Sequence, residues 1–580
     1  MFITREILST CGWQAFERIV ARLLIHKGYS GVRVVGGSGD KGADILARSP
    51  NGKRWLIQAK YWAKPVPEIE MQRTLEAART YRANLSVIVA LNGVDEKARA
   101  FQKSVQLLGQ SISVWEPNDL LALASKLPMH SPARSAQGKY QESAIQAVCE
   151  MIEGGSPRRS MVIMATGLGK TFVAAESIRR ASTRKKLKVL VIAHTNQLVL
   201  QLEKAFWPFI GPQEPTSIWN KHEKPTESAL KNHRFVFASR DSLSNFLSAG
   251  GVCPRFNLVV IDECHHAHSN SSSYQNIINQ LGAGTNDGPQ LLGLTATPFL
   301  ADPEARLEPV FGDNPLVRID MIYGLQNGFL SQIDYRLFTD NINWEGLKSL
   351  AGTKLSPKAV NRAFFIKEWD DGVISELRKS WHELDNPKAI VFCGTIDHAN
   401  LMKDKINSLG FCKADAIYSG NARGNAMSQY QRNLLLSDFE AGVLNVMCTV
   451  DVFNEGIDVP DVNIVVFNRV THSRRIFIQQ LGRGLRLSAG KSKAIVLDFA
   501  QDIRRFAAGL NMKTALEKPP AGSVITLGNK VIFRNASGED QRAESFLRAW
   551  LEDAQAIECA DDEDAGILKF PPDMEARYSN

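Results

Sequence analysis

Residues Met161 to Thr171 read MVIMATGLGKT, and the next ten, Phe172 to Ala181, read FVAAESIRRA. The first is an apolar strand running into a turn, and the second has helical spacing, so a Gly-containing loop joins strand to helix. Such a loop aims backbone N–H groups and a helix N-terminus at one point, which suits a phosphate. Thr166, Gly167 and Gly169 line that loop, Lys170 adds a point charge for outer phosphates, and Thr171 offers a hydroxyl to Mg2+. The string departs from G-x-x-x-x-G-K-[ST] at its start, where Met164-Ala165 holds no glycine.

Further along, the apolar run Leu258–Ile261 ends in Asp262-Glu263-Cys264-His265-His266-Ala267. Carboxylates at the C-terminal end of a strand in a parallel sheet sit at the crevice where ligands bind. Asp262 there can hold magnesium through water, and Glu263 can orient or deprotonate an attacking water. A rival reading is a metal cluster of Cys264, His265, His266 and His268, but these lie too close together for ordinary zinc spacing.

Outward from these two sites, short apolar runs alternate with helical patterns. They are Met161–Met164, Val189–Ala193, Phe235–Ala238, Leu258–Ile261, Leu291–Leu294, Ala389–Phe392, Asn445–Cys448, Ile464–Phe467 and Ala494–Leu497. Uniformly apolar strands between helices mean parallel sheets covered on both faces, an α/β fold. Nine such strands exceed one compact domain, which predicts two lobes. The chain has 580 residues, room for three or four domains. No apolar run is long enough to span a bilayer, and the N-terminal stretch carries charge where a signal peptide would be apolar. Eight cysteines without a C-x-x-C pair suit a reducing cytosol and exclude a disulfide framework. Charge is uneven: residues 1–127 hold 18 Lys/Arg against 11 Asp/Glu, whereas residues 539–580 hold 4 against 12. The basic part suits a polyanion partner, and a solvated surface gives the same sum. The acidic tail reads as a solvated extension.

From the phosphate loop onward the sequence resembles the superfamily 2 helicases, nearest the motor subunits of type I and type III restriction enzymes. Its motifs occur in order over residues 139–500. Tyr140-Gln141 is similar to the adenine-reading glutamine motif, MATGLGKT to motif I and DECHHA to motif II. Ala193-His194-Thr195 with Gln201, and then Ser239 to Leu243, resemble the strand-contacting motifs. Leu294-Thr295-Ala296-Thr297-Pro298 resembles motif III, Val391-Phe392-Cys393 motif IV, Asn454 to Pro460 motif V, and Gln479 to Arg486 motif VI. The resemblance implies two RecA-like lobes, ATP and Mg2+ as cofactors, and Gln141, Gly456 and Asp458 lining the nucleotide cleft. It also implies arginine fingers at Arg483 and Arg486, which reach the γ-phosphate when the cleft closes.

The N-terminal region poses a separate question. Trp13, Phe16, Val20, Leu23 and Leu24 form a helical apolar stripe, and Glu17 lies on it. Gly39-Asp40-Lys41-Gly42-Ala43-Asp44 then leads into Ile45–Arg48, the turn Ser49-Pro50-Asn51-Gly52, and the strand Arg54–Lys60. Alternation by two puts Gln58 and Lys60 on one face, and the hairpin brings Asp44 beside them. An acid, an amide oxygen and a lysine can build a Mg2+ site with Asp44 and Gln58 as ligands and Lys60 orienting water. An ordinary hairpin with exposed polar residues is the other reading. G-D-x-G-x-D followed after 13 residues by Q-x-K resembles the Mrr-like branch of the PD-(D/E)-x-K restriction endonucleases. On that resemblance Gln58 replaces the usual second acid, Glu17 is the helix-one carboxylate, and strands follow at Leu85–Leu91 and Ile112–Trp115.

The expected division is a nuclease-like α/β domain over 1–127, a linker over 128–138 and a first lobe over 139–330. An inter-lobe insertion over 331–387, a second lobe over 388–510 and a C-terminal extension over 511–580 follow. The implied activity is ATP-driven movement on DNA with attached Mg2+-dependent cleavage, in bacterial or archaeal defence, with recognition left to a partner subunit and the protein in the cytoplasm. Open alternatives are a repair nuclease-helicase, a remodeller whose first domain holds DNA without cutting, and an RNA-directed motor.

Overall fold

Three large sheets, of five, seven and seven strands, organise the described residues of the computed structural model. It describes residues 1–36, 42–109, 111–128, 138–296, 305–338, 370–418, 427–450, 461–468, 491 and 493–499, with short strands at 354–355, 530–533 and 568–569. The first sheet has the order Ser30–Val34, Ile45–Arg48, Arg54–Lys60, Leu85–Ala90, Ile112–Trp115. Its first three strands are antiparallel neighbours and its last two join in parallel, so the expected hairpin is its centre. The helix Gly12–His26 buries Phe16, Val20, Leu23 and Leu24 against it. Trp13 departs from the predicted stripe: it lies on the open side of the first turn and is 52% exposed.

The second sheet is wholly parallel in the order Val317–Ile319, Arg159–Met164, Gln290–Thr295, Leu258–Asp262, Val189–Ala193, Phe235–Ser239, Thr216–Trp219. Every residue of Val189–Ala193 and Leu258–Asp262 is buried, as continuous apolar runs require when helices cover both faces. The third sheet is also parallel, in the order Ala414–Tyr418, Val446–Val450, Ala389–Cys393, Ile464–Asn468, Lys493–Phe499, Gln332–Phe338, Lys530–Phe533.

The third sheet corrects the boundary expected at 331–387. Gln332–Phe338 is one of its inner strands, and the helix Asp370–Trp381 buries Val373, Ile374 and Leu377 in the same lobe's core. The strand was hidden because Arg336 interrupts its apolar pattern. Arg336 is 2% exposed and its charge is met by Asp334 at 3.1 Å and Glu383 at 2.7 Å. Most of the linker (129–137), most of the insertion and most of the acidic tail lie outside the described residues.

The first domain is docked on the first lobe. Arg18 pairs with Glu203 at 3.0 Å and with Glu223, and the buried Arg22 donates to the carbonyls of Gly211 (3.1 Å) and Glu214 (2.9 Å). Trp207 of the first lobe sits fully buried within the first domain's apolar core. Removing one partner of such buried charged contacts costs about 3–5 kcal/mol, so they hold the first domain against the first lobe.

His26 makes this junction acid-sensitive. Burial first, and the nearby Arg22 guanidinium second, push its pKa down to about 3, and Arg22 Nε donates to its Nε2 at 3.3 Å. In the unfolded chain the ring takes up a proton near pH 6.5, which the folded state refuses. Stability is therefore full above pH 6.5 and is lost as pH falls from there toward 3, by about 2 kcal/mol at pH 5. Thermal unfolding should show His26→Gln losing less of its midpoint than wild type between pH 7 and pH 5; parallel losses would contradict this.

Candidate functional site

The phosphate loop is held at both ends. Ala165 N–H donates to the Ile319 carbonyl at 2.9 Å, and Gly169 caps the helix Lys170–Arg184 in the left-handed region, with φ 90°. A side chain at Gly169 would meet Gln141 Nε2 at 2.7 Å, so glycine is needed for space as well as conformation. Gln141 donates that amide to the Leu168 carbonyl at 2.9 Å, while Tyr140 stacks on Phe329 with centroids 4.1 Å apart. The structure thus sets Gln141 directly against the loop.

Lys170 reaches across to the end of Leu258–Asp262, where it bonds Glu263 and lies 3.7 Å from Asp262 Oδ1. Burial works against its ammonium, but Glu263 and then Asp262 outweigh that and hold its pKa above the ordinary lysine value. Asp262 Oδ1 accepts no hydrogen bond among the described residues although it is buried. That oxygen and Thr171, second residue of the helix, fit Mg2+, which keeps most of its water and needs few protein ligands. When bound, the metal would offset phosphate charge, and Lys170 and Glu263 stand where an ammonium could meet the outer phosphates and a carboxylate could orient water. Glu263 itself sits at φ 47°, a strained backbone that sets its carboxylate beside Lys170.

His265 Nδ1 lies 3.1 Å from Thr295 Oγ1 and 3.4 Å from Glu263, joining the ends of two neighbouring strands. His266 lies between His265 and His194 with its ring tilted against both, at centroid distances of 4.2 and 4.3 Å. Among the described residues no group of three or more His, Cys, Asp or Glu side chains gathers as a metal cluster. Burial and then Glu263 raise the Cys264 thiol well above its usual range, so it stays protonated. Gly456, Asp458, Arg483 and Arg486 lie outside the described residues, as does Thr297.

The first domain holds a second acid cluster. Asp44 is 5% exposed, and its Oδ2 accepts from the Ala59 amide at 2.6 Å, which fixes it between Gln58 and Lys60. A methyl group on Gly36 would lie 2.9 Å from Glu17 Oε2 and 3.2 Å from Asp44 Oδ1, so both carboxylates face one small gap. Two carboxylates fit Mg2+ there. Gln58 is placed differently from expectation: its amide oxygen accepts from the Thr74 hydroxyl, and its Nε2 lies 3.5 Å from Glu70.

Glu70 is the member that sequence reasoning missed. It is 4% exposed on the helix Glu68–Thr80 and lies 2.9 Å from Lys60 Nζ. Burial alone would raise its pKa, but bonds from Lys60 and Arg73 reverse the effect and keep it ionised.

Comparisons with known proteins bear on both clusters. Residues 8–124 match the family "Restriction endonuclease", 136–300 "Type III restriction enzyme, res subunit", and 372–488 "Helicase conserved C-terminal domain". The chain is 27% identical over 382 residues to the "Putative mitochondrial ATP-dependent helicase irc3" of Schizosaccharomyces pombe, covering 63% of this chain and 57% of that protein. It is 26% identical over 390 residues to the "Type I restriction enzyme EcoAI endonuclease subunit" of Escherichia coli, covering 63% and 46%. The chain therefore spans about half the length of these curated relatives. The solved structure "ATP-dependent Type ISP restriction-modification enzyme LlaBIII bound to DNA" aligns with 94% of this chain and 41% of that one, at 17% identity and a TM-score of 0.49. Domain by domain, the chain carries a match to a restriction endonuclease family at its N-terminus and, beyond it, matches to the res subunit of type III restriction enzymes and to the C-terminal helicase domain.

Proposed function

We propose that this protein is an ATP-driven DNA translocase or helicase carrying a Mg2+-dependent endonuclease, and that it restricts foreign DNA. One observation carries the reading: a single chain builds two separate groups of acids and a lysine, Lys170–Asp262–Glu263 behind a phosphate loop and, without such a loop, Glu17 and Asp44 at one gap with the Lys60–Glu70 pair on the adjoining strand and helix. The first suits phosphoryl transfer, where charge must be met at the outer phosphates. The second suits water attack on a backbone phosphate. Relatives named as helicases and as restriction subunits support DNA as the track. A partner subunit that supplies target recognition, and a cytoplasmic location, belong to the same reading.

A second reading rests on Gln58 and Lys60. Their engagement by Thr74 and Glu70 suits a domain that grips DNA without cutting it. The test is to supply duplex DNA, single-stranded DNA and RNA in turn with ATP and Mg2+, following hydrolysis and cleavage together. DNA-stimulated hydrolysis with cleavage is expected. Hydrolysis without cleavage of any DNA form would favour the gripping domain, and stimulation by RNA alone would overturn the DNA assignment.

A further inference from the structure

The peptide that rims the carboxylate gap of the first domain is held from the second motor lobe. The peptide Val35–Gly36 forms its rim: both N–H groups donate to the Asp44 carbonyl, at 2.8 and 3.2 Å. Gly36 runs so close to Glu17 and Asp44 that a single added carbon would touch both. The other side of this peptide is fixed from far along the chain. Asn433, on the second-lobe helix Gln429–Glu440, donates its Nδ2 to the Val35 carbonyl at 3.1 Å in a buried setting.

That helix is built to hold Asn433 still. Ser428 and Gln431 close a capping box at its start, and Gln429 Nε2 donates to Asn433 Oδ1 at 3.1 Å. With its oxygen occupied by Gln429, the side chain presents its NH2 to Val35. Tyr430 and Leu434 of the same helix pack on the small core formed by Val35, Leu46, Leu56 and Tyr81. Arg33 and Glu440 pair at 2.9 Å at the edge of the contact. Since Arg18, Arg22 and Trp207 bind the first domain to the first lobe, this domain bridges both lobes.

We propose that Asn433 is a positioning residue through which the second lobe sets the spacing of Glu17 and Asp44, so that cleavage depends on how the two lobes are arranged. The inference rests on the nuclease reading above. A metal site tolerates only a few tenths of an ångström in its ligands, and the Val35–Gly36 peptide is bonded to Asp44 on one side and Asn433 on the other. Movement of the second lobe relative to the first is thereby delivered to the carboxylates. ATP turnover, which shifts lobes, and cutting, which needs fixed ligands, are coupled at one hydrogen bond.

The test uses the full chain with Asn433→Ala and the isosteric Asn433→Asp, which keeps the bond from Gln429 but turns an oxygen toward the Val35 carbonyl. Three quantities are read: DNA-stimulated ATPase, the Mg2+ concentration for half-maximal cleavage, and amide hydrogen exchange at Val35 and Gly36. Both variants should keep ATPase within about twofold, need at least about fivefold more Mg2+ for cleavage, and exchange about tenfold faster at the two amides. Unchanged Mg2+ dependence in both variants, or exchange as slow as in wild type, would overturn the proposal. If the wild-type protein does not cleave at all, the nuclease reading fails, and exchange at Val35 and Gly36 alone then decides the positioning claim.

Discussion

Replacing Lys170 with alanine is expected to abolish DNA-stimulated ATP hydrolysis, by about a thousandfold or more. The ammonium bonds Glu263 and lies 3.7 Å from Asp262. Without it, two carboxylates face the phosphate loop with no cation to meet either them or an incoming triphosphate. The loss combines weaker nucleotide binding with a lost transition-state charge, so raising ATP should recover only the first part. Lys170→Arg is no conservative change, because a planar fork has different reach and geometry from the ammonium that bonds Glu263 and lies 3.7 Å from Asp262. Steady-state ATPase assays across ATP concentration check this, and turnover within tenfold of wild type would remove Lys170 from the proposed role.

Asp44→Asn should lower Mg2+-dependent cleavage by about a thousandfold while leaving ATPase within about twofold. The substitution is chosen because Asp44 has two duties. Its Oδ2 accepts from the Ala59 amide, and asparagine keeps an oxygen for that bond while removing the charge a metal needs. Asp44→Ala would add a structural loss of about 1–3 kcal/mol by leaving the Ala59 N–H unpaired in a buried place. A melting temperature equal to wild type together with lost cleavage assigns the defect in Asp44→Asn to chemistry. Cleavage at the wild-type rate would show that Asp44 only braces the hairpin.

Much of this was legible in residues alone, for physical reasons that differ by site. The strands Val189–Ala193 and Leu258–Asp262 were readable because a sheet covered on both faces leaves no polar position to disguise the pattern. The hairpin around Ser49–Gly52 was readable because its turn residues lie between two short strands, and Glu17 because a carboxylate on an apolar stripe is out of place. Glu70 was illegible since a carboxylate in a polar helix looks solvated until Lys60 is seen above it. Gln332–Phe338 was misread because its buried Arg336 is neutralised by Glu383, 47 positions away. Arg18, Arg22 and Asn433 were equally hidden, because what buries them is another domain, and no local periodicity records such a partner.

The central claim is that one chain holds two chemistries, each with its own lysine. The most direct measurement is a paired assay of DNA-stimulated ATPase and Mg2+-dependent cleavage on wild type, Lys170→Ala and Lys60→Ala. The expected result is that Lys170→Ala hydrolyses no ATP above background, whereas Lys60→Ala keeps ATPase within about twofold and cuts no DNA. Lys60→Ala cutting at the wild-type rate, or Lys170→Ala hydrolysing ATP at the wild-type rate, would contradict it.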